Sequence, residues 1–140
     1  MGKINVARVI LGGLLAGLIM NIGETVLNLF VIADESTAFL QRLGLQFPGN
    51  HQIAIFVAMT FVSGIIVIFL YAAMRPRFGA GAKTAVIAGL IVWLVTMMAG
   101  FADVVLGITP TNLLVVAGAW SLVETLVAAV AGAWLYQESA

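Results

Sequence analysis

Four long runs of apolar residues, separated by short polar stretches, divide the chain. The runs cover residues 9–32, 53–74, 84–108 and 111–136. Each run is long enough to cross a hydrocarbon core of ~30 Å as a helix that rises ~1.5 Å per residue. None shows the alternation and even turn spacing of a membrane β-barrel. The pattern predicts an all-α fold, an integral membrane four-helix transmembrane bundle that forms one domain over residues 1–140.

Stop and start signals lie at the ends of these runs. The second run closes on Arg75-Pro76-Arg77, where proline and charge predict the end of a buried helix. Thr109-Pro110 predicts an N-cap followed by proline at the first position of the fourth helix. The last two runs are therefore expected to be separate helices with short connections.

The longest connection, residues 33–52, is predicted to contain a short amphipathic helix in the outer interface. Asp34 is expected to cap a helix from Glu35 to about Leu43, with Phe39 and Leu40 on its apolar face. We interpret this segment as a lid over the outer end of the bundle. The alternative is a binding loop.

Composition changes the picture by excluding most soluble functions. The chain is 63% hydrophobic and 9% charged, whereas a soluble domain has roughly 45–50% apolar and about 25% charged residues. A net charge of zero argues against nucleic-acid binding, which needs a basic face. With no cysteine and one histidine, disulfides, thiolate chemistry and sites that need two histidines are excluded. No cofactor is expected, and the lack of a nucleophile–base pair favours a non-enzymatic protein.

The distribution of basic residues predicts the orientation in the membrane. With the N-terminus inside, only Arg42 lies outside, and five basic residues lie on the cytoplasmic side: Lys3, Arg8, Arg75, Arg77 and Lys83. Basic residues accumulate on the cytoplasmic side of membrane proteins. Both termini are therefore expected to be cytoplasmic.

Two glutamates within the predicted spans are the main candidates for chemistry. A carboxylate at the centre of a membrane helix costs at least ~2.5–3.5 kcal/mol, so Glu24 and Glu124 are expected to face inward. On the first helix Asn21, Glu24 and Asn28 fall on one helical stripe, and on the fourth helix Ser121 and Glu124 share another. Each stripe offers amide or hydroxyl partners to its glutamate.

Counting residues along the helices predicts how these stripes meet. Glu24 comes out in the outer half and Glu124 near the midplane, ~8–9 Å apart in height, so the two are not expected to pair directly. Asn21 and Ser121 come out nearly level. We therefore predict a ladder Glu24–Asn21–Ser121–Glu124 that bridges the first and fourth helices.

The spans contain no Lys or Arg to pair with the glutamates. A desolvated carboxyl without a cationic partner tends to be protonated. The two glutamates are then either neutral hydrogen-bond donors that fix helix register or a site for protons or cations. A site for some other ligand is a third interpretation, and all three stay open.

Two further ionisable residues lie near the outer ends of helices. Asp103 shares a stripe with Thr96 and Gly100 and is expected to face inward near the interface, where it can also reach water. His51 begins the second helix, and with Asp103 and Glu24 it would offer ligand types that suit zinc or manganese. The spacing does not require a metal, and a solvated histidine is the alternative that we favour.

One segment carries a resemblance to known sequences. Tyr71-Ala72-Ala73-Met74-Arg75-Pro76-Arg77-Phe78-Gly79, followed by Lys83-Thr84-Ala85, resembles a stretch of small uncharacterised bacterial four-span membrane proteins. The stretches 21–24 and 120–124 fit the same group, so the resemblance covers the whole chain. It implies a location in the bacterial inner membrane and brings no activity with it.

In architecture alone the chain is similar to the small multidrug-resistance exporters. These are four-helix proteins with a glutamate in helix 1 that alternates between a proton and a cationic substrate, and Glu24 and Trp93 hold loosely similar places. The chain departs from them in its length, its outer loop, its second buried glutamate and its strong charge bias. Their activity is therefore not carried over.

These observations lead to one leading function and one alternative. We predict a small multi-pass inner-membrane protein that performs proton- or cation-linked transport through the carboxylate ladder. The alternative is a non-catalytic accessory or structural subunit of a larger membrane complex. The expected partners are the lipid bilayer and either further copies of the chain or such a complex, with no nucleic acid.

Overall fold

Four long helices and one short helix make up the described part of the protein. The computed structural model describes residues 3–138, which form α1 (Val6–Val26), α2 (Ala33–Arg42), α3 (Asn50–Phe78), α4 (Ala82–Val105) and α5 (Thr111–Trp134). A π-helical turn, Leu27–Val31, extends α1. With this extension, α1, α3, α4 and α5 are each long and apolar enough to cross a membrane. This confirms the prediction of an all-α membrane protein whose four spans pack as a bundle.

The four spanning helices pack as a square with α1 and α4 on one diagonal. Both α1 and α4 pack against α3 and α5. The backbone N–H of Asn5 donates a hydrogen bond to the Tyr136 hydroxyl at 3.3 Å, so the described chain starts and finishes at the same end of the bundle. We call this the terminal end, and we call the opposite end, which carries α2, the α2 end.

Glycines set the closest contacts between helices. Gly64 on α3 faces the backbone of Gly13 and Gly17 on α1, and a Cβ at position 64 would lie 2.8 Å from the Gly17 Cα. A Cβ at Gly12 would lie 2.5 Å from the carbonyl oxygen of Gly132 on α5. Helices in lipid associate through close backbone packing rather than a hydrophobic drive. These glycines therefore fix the register of α1 against α3 and α5.

The tightly packed core occupies the terminal half of the bundle. Most of its buried residues are small or medium in size, and they include Ala16, Val67, Ile68, Ala85, Ala88, Ala128 and Ala129, with Tyr71 as a larger member. Toward the α2 end the packing of α3 loosens, and residues 50–59 are exposed on every side of the helix. The bundle is therefore closed at the terminal end and more open toward the α2 end.

Two helix ends differ from the sequence prediction. α3 continues through Pro76 to Phe78, because a proline in the last turn removes only one hydrogen bond and the Gly79 N–H still bonds to the Arg75 carbonyl at 2.9 Å. α5 begins at Thr111 with Pro110 as its N-cap residue and without a side-chain cap. The start predicted from Thr109 is thus one residue early.

α2 packs across the α2 end of the bundle. It follows the π-helical turn directly, with Ile32 rather than the predicted Asp34 at its N-cap. Phe39 packs against an apolar cluster formed by Leu27, Ile32 and Leu113. The Arg42 guanidinium donates hydrogen bonds to the carbonyls of the α4–α5 loop, those of Gly107 and Ile108. These contacts hold α2 against the end of the bundle.

Candidate functional site

A cavity of about 200 Å³ with several polar side chains in its wall lies between the four spanning helices. Its lining comes from all four: Met20 and Glu24 on α1, Thr60 and Ser63 on α3, Val92, Trp93 and Thr96 on α4, and Ser121, Glu124 and Thr125 on α5. Seven of these ten side chains carry a hydroxyl or carboxyl group, and none is basic. Since one water occupies about 30 Å³ of the liquid, the cavity has room for several waters or one small organic ligand.

Glu124 holds the one buried carboxyl group among the described residues. Its side chain is 8% exposed, and its Oε2 accepts a hydrogen bond from the Trp120 indole N–H at 3.2 Å. The same N–H lies 3.2 Å from the Gly23 carbonyl oxygen on α1. The carboxyl packs directly on Gly23, where any Cβ would collide with it. Glycine at position 23 therefore makes the room that this carboxyl occupies.

Glu24 lines the same cavity from α1 and is half-buried. The Asn28 side-chain amide donates to Glu24 Oε2 at 3.2 Å and to the Glu24 carbonyl oxygen at 2.9 Å. Asn28 belongs to the π-helical turn Leu27–Val31, a geometry that is frequent at functional sites. The predicted stripe of Glu24 and Asn28 is thus a direct contact within one helix.

The predicted ladder through Asn21 and Ser121 is wrong. The Asn21 amide donates to the carbonyl oxygens of Gly17 at 2.9 Å and of Val57 on α3 at 3.4 Å. The Ser121 hydroxyl donates to the Gly118 carbonyl within α5 at 3.1 Å. Neither side chain bridges α1 and α5, although the two helices are in contact.

The cause of this error is the predicted register of α1 against α5. When the position of each glutamate along the membrane normal is counted from the start of its apolar run, the two come out ~8–9 Å apart in height. The contacts of Gly12 with Gly132 and of Gly23 with Glu124 instead bring Glu24 and Glu124 to within about one helical turn in height. Both glutamates therefore reach one cavity, and no relay of side chains is needed between them.

Asp103 and His51 lie outside this cavity. Asp103 is exposed near the end of α4, beyond the contact that Gly100 makes with Leu114. The prediction that Asp103 faces inward is therefore wrong, because the last turn of α4 extends past its contact with α5. His51 is exposed in the first turn of α3. Within residues 3–138, no three His, Cys, Asp or Glu side chains lie close enough to hold a metal ion. The set His51, Asp103 and Glu24 therefore does not assemble.

Sequence reasoning missed the contributions of α3 and Gly23. Thr60 and Ser63 are the only serine or threonine residues in the second apolar run, and this isolation was the available signal that one face of α3 turns toward a polar site. Trp93 also lines the cavity, while its indole N–H donates to the Gly118 carbonyl on α5 at 2.9 Å. No signal in the sequence singles out Gly23, because its role depends on a side chain of another helix.

Comparison with known proteins adds no further information about the site. No protein-family model matches the chain, and neither a curated protein nor a solved structure matches it. The function is therefore inferred from the cavity itself.

Proposed function

We propose that the protein binds a cation in the central cavity and exchanges it for a proton across the membrane. The observation that carries the proposal is a cavity among the membrane-spanning helices that holds two carboxyl groups and no basic side chain. Glu24 and Glu124 are the residues that bind the proton and the cation in turn.

The electrostatics of the cavity support this exchange. An unpaired carboxylate inside a membrane is costly, so its negative charge needs a compensating positive charge. With no Lys or Arg among the lining residues, that charge comes either from a proton on the carboxyl or from a cation beside it. A cation and a proton then compete for the same two groups, and this competition couples their movements.

The uneven packing of the bundle supports one-sided access to the cavity. The alanine-rich core closes the terminal half, whereas α3 is loosely packed toward the α2 end. Exchange across the membrane requires a second conformation in which this asymmetry is reversed.

We place the protein in the bacterial inner membrane with the terminal end in the cytoplasm. Five of the six basic residues belong to the terminal end, and Arg42 on α2 belongs to the other. This bias supports the orientation, and the resemblance of the Tyr71–Gly79 segment to bacterial four-span proteins supports the membrane.

The first experiment measures charge movement in reconstituted protein. Proteoliposomes on a solid-supported membrane are exposed to steps of sodium, potassium or n-butylammonium chloride, with protein-free liposomes as the background. We expect a current with at least one of these cations. Glu124→Gln should lower that current by about tenfold or more, because it removes the exchangeable charge from the buried site.

Glu35→Gln is the matched control, since Glu35 is an exposed acid on α2 and its loss should leave the current unchanged. Helicity and thermal unfolding of each variant are measured in parallel. If Glu124→Gln is folded and gives the wild-type current, the proposal is wrong. Should the glutamine variant fail to fold, Glu124→Asp tests the same charge, because shortening it should weaken the current without removing it.

A further inference from the structure

We infer that the cation is a small primary ammonium ion, a ligand that donates several N–H hydrogen bonds. This inference rests on the proposed function and names the chemical class of its ligand. The carrying observation is the direction of the hydrogen bonds in the cavity wall, since four of its five hydroxyl groups present only acceptors to the ligand.

Four hydroxyl groups of the wall donate their protons to their own helices. The bonds run from Thr60 to Phe56 O at 3.0 Å, from Ser63 to Met59 O at 3.1 Å, from Thr96 to Val92 O at 3.0 Å and from Ser121 to Gly118 O at 3.1 Å. A hydroxyl has one proton and two acceptor lone pairs. Because each proton is engaged within a helix, these side chains can offer the cavity only lone pairs.

The nitrogen donors near the cavity are engaged in the same way. The Trp93 indole donates to the Gly118 carbonyl, and the Trp120 indole lies between the Gly23 carbonyl and Glu124 Oε2. Each indole has a single N–H donor, so neither tryptophan has a further donor to offer a ligand in the cavity. The Asn28 amide, the donor nearest to Glu24, is directed at that residue's own oxygens.

Two groups of the wall keep a polar atom that makes no hydrogen bond within residues 3–138, and both atoms are accessible rather than sealed in the protein. Glu124 accepts its hydrogen bond at Oε2, and its Oε1 makes none. The Thr125 side chain is 4% exposed, lines the cavity, and its hydroxyl makes no hydrogen bond within the described chain. Because both atoms are accessible, a polar ligand or water in the cavity can bond to them, and the Thr125 hydroxyl can donate as well as accept.

This lining selects among cations by their hydrogen-bond donors. A primary ammonium has three N–H donors, as the side chain of lysine has, and it can pair with a carboxylate and two hydroxyl oxygens at once. A quaternary ammonium of the same charge has none, so it leaves the acceptors of the wall desolvated and unpaired. Within residues 3–138, no three His, Cys, Asp or Glu side chains lie close enough to hold a metal ion between them.

Binding of two isomeric cations to the purified protein tests the inference. n-Butylammonium and tetramethylammonium have the same formula and charge, and they differ in N–H donors. Titration calorimetry in nanodiscs should show n-butylammonium binding about tenfold or more tightly. Equal affinities would overturn the inference but leave the proposed cation site in place. If neither cation binds and no cation gives a current, the proposed function is wrong as well.

A hydroxyl variant tests whether the wall is the cause of the preference. In Thr60→Val with Ser63→Ala and Thr96→Val, three acceptors are removed from the cavity, and the preference should fall to about twofold or less. Thr37→Val is the control, since the Thr37 hydroxyl bonds to the Ala33 carbonyl on α2, away from the cavity. Retention of the full preference by the triple variant would overturn the inference, and Ser63→Ala alone replaces it if the triple variant does not fold.

Discussion

At position 23 the absence of a side chain decides where the carboxyl of Glu124 can lie. The carboxyl rests against the α1 backbone because Gly23 has no Cβ, and the Trp120 indole holds both the Gly23 carbonyl and Glu124 Oε2. Three residues on two helices thus form one unit. A single added methyl group at Gly23 would enter the volume of the carboxyl oxygen.

Gly23→Ala is therefore expected to weaken cation binding by about tenfold, because the Glu124 carboxyl must turn away from Trp120 to avoid the new methyl group. We also expect a loss of about 1–3 kcal/mol in the free energy of unfolding, the usual cost of overpacking. Calorimetric titration with n-butylammonium and unfolding in mixed micelles measure the two effects.

Gly49→Ala serves as the control for this substitution. Gly49 has an ordinary φ of −80°, and a Cβ there would meet only the end of the flexible Gln52 side chain at 3.2 Å. Affinity equal to that of the wild type in folded Gly23→Ala would show that the position of the carboxyl does not determine binding.

Among the elements, α1 and α3 are in close backbone contact through glycines on both helices. Gly64 lies against the backbone of Gly13 and Gly17, so the two helices approach at a distance that no side chain at these positions permits. The same contact aligns Thr60 and Ser63 of α3 with Glu24 of α1 around the cavity. Helix packing and site geometry are therefore coupled at this element pair.

Gly64→Ala should destabilise the bundle by about 1–3 kcal/mol, since the added methyl group meets backbone atoms of α1 that cannot move independently. Ile66→Leu, an apolar exchange of equal volume at an exposed position of the same helix, should change stability by less than about 0.5 kcal/mol. Reversible unfolding in sodium dodecyl sulfate micelles compares the two variants. Equal stabilities would mean that the glycine contact does not determine the packing of α1 on α3.

The elements also show what the sequence can and cannot predict. The apolar runs predicted the four spans because the thickness of the hydrocarbon core sets their length. The register between α1 and α5 depends on which small residues meet, here Gly12 and Gly132. A shift of about one helical turn in this register decides whether the two glutamates are connected through a ladder of side chains or line the same cavity. Thr60 and Ser63 give only a weak signal in the sequence, because a hydroxyl bonded to its own helix is tolerated in an apolar run.

For the whole molecule, the two ends of the bundle differ in charge and in construction. At the terminal end the rings of Tyr71 and Tyr136 meet edge to face at 5.9 Å, and the Arg75 guanidinium lies 5.5 Å from the centre of the Tyr136 ring. Arg75 also lies 3.8 Å from a carboxyl oxygen of Glu138. The α2 end carries a short helix and a single basic residue, Arg42.

This asymmetry gives a prediction for topology in the cell. Because the chain has no cysteine, single cysteines can be added without a background. A membrane-impermeant maleimide applied to intact cells should label Gln46→Cys, at the exposed connection after α2, and should not label Ala80→Cys, between α3 and α4, until the cells are permeabilised. The reverse pattern would invert the proposed orientation.

The hydrogen bonds that engage each hydroxyl within its own helix also have a consequence for biosynthesis. Thr60, Ser63, Thr96 and Ser121 all donate to carbonyls three or four residues earlier, and Glu24 and Glu124 accept from Asn28 and Trp120 on their own segments. Most polar groups of each span are therefore already hydrogen-bonded within that span when it leaves the translocation channel. This lowers the free-energy cost of inserting a single helix into lipid before the other helices pack against it. The helices can enter the bilayer one by one, and the cavity is completed only when the glycine contacts later draw them together.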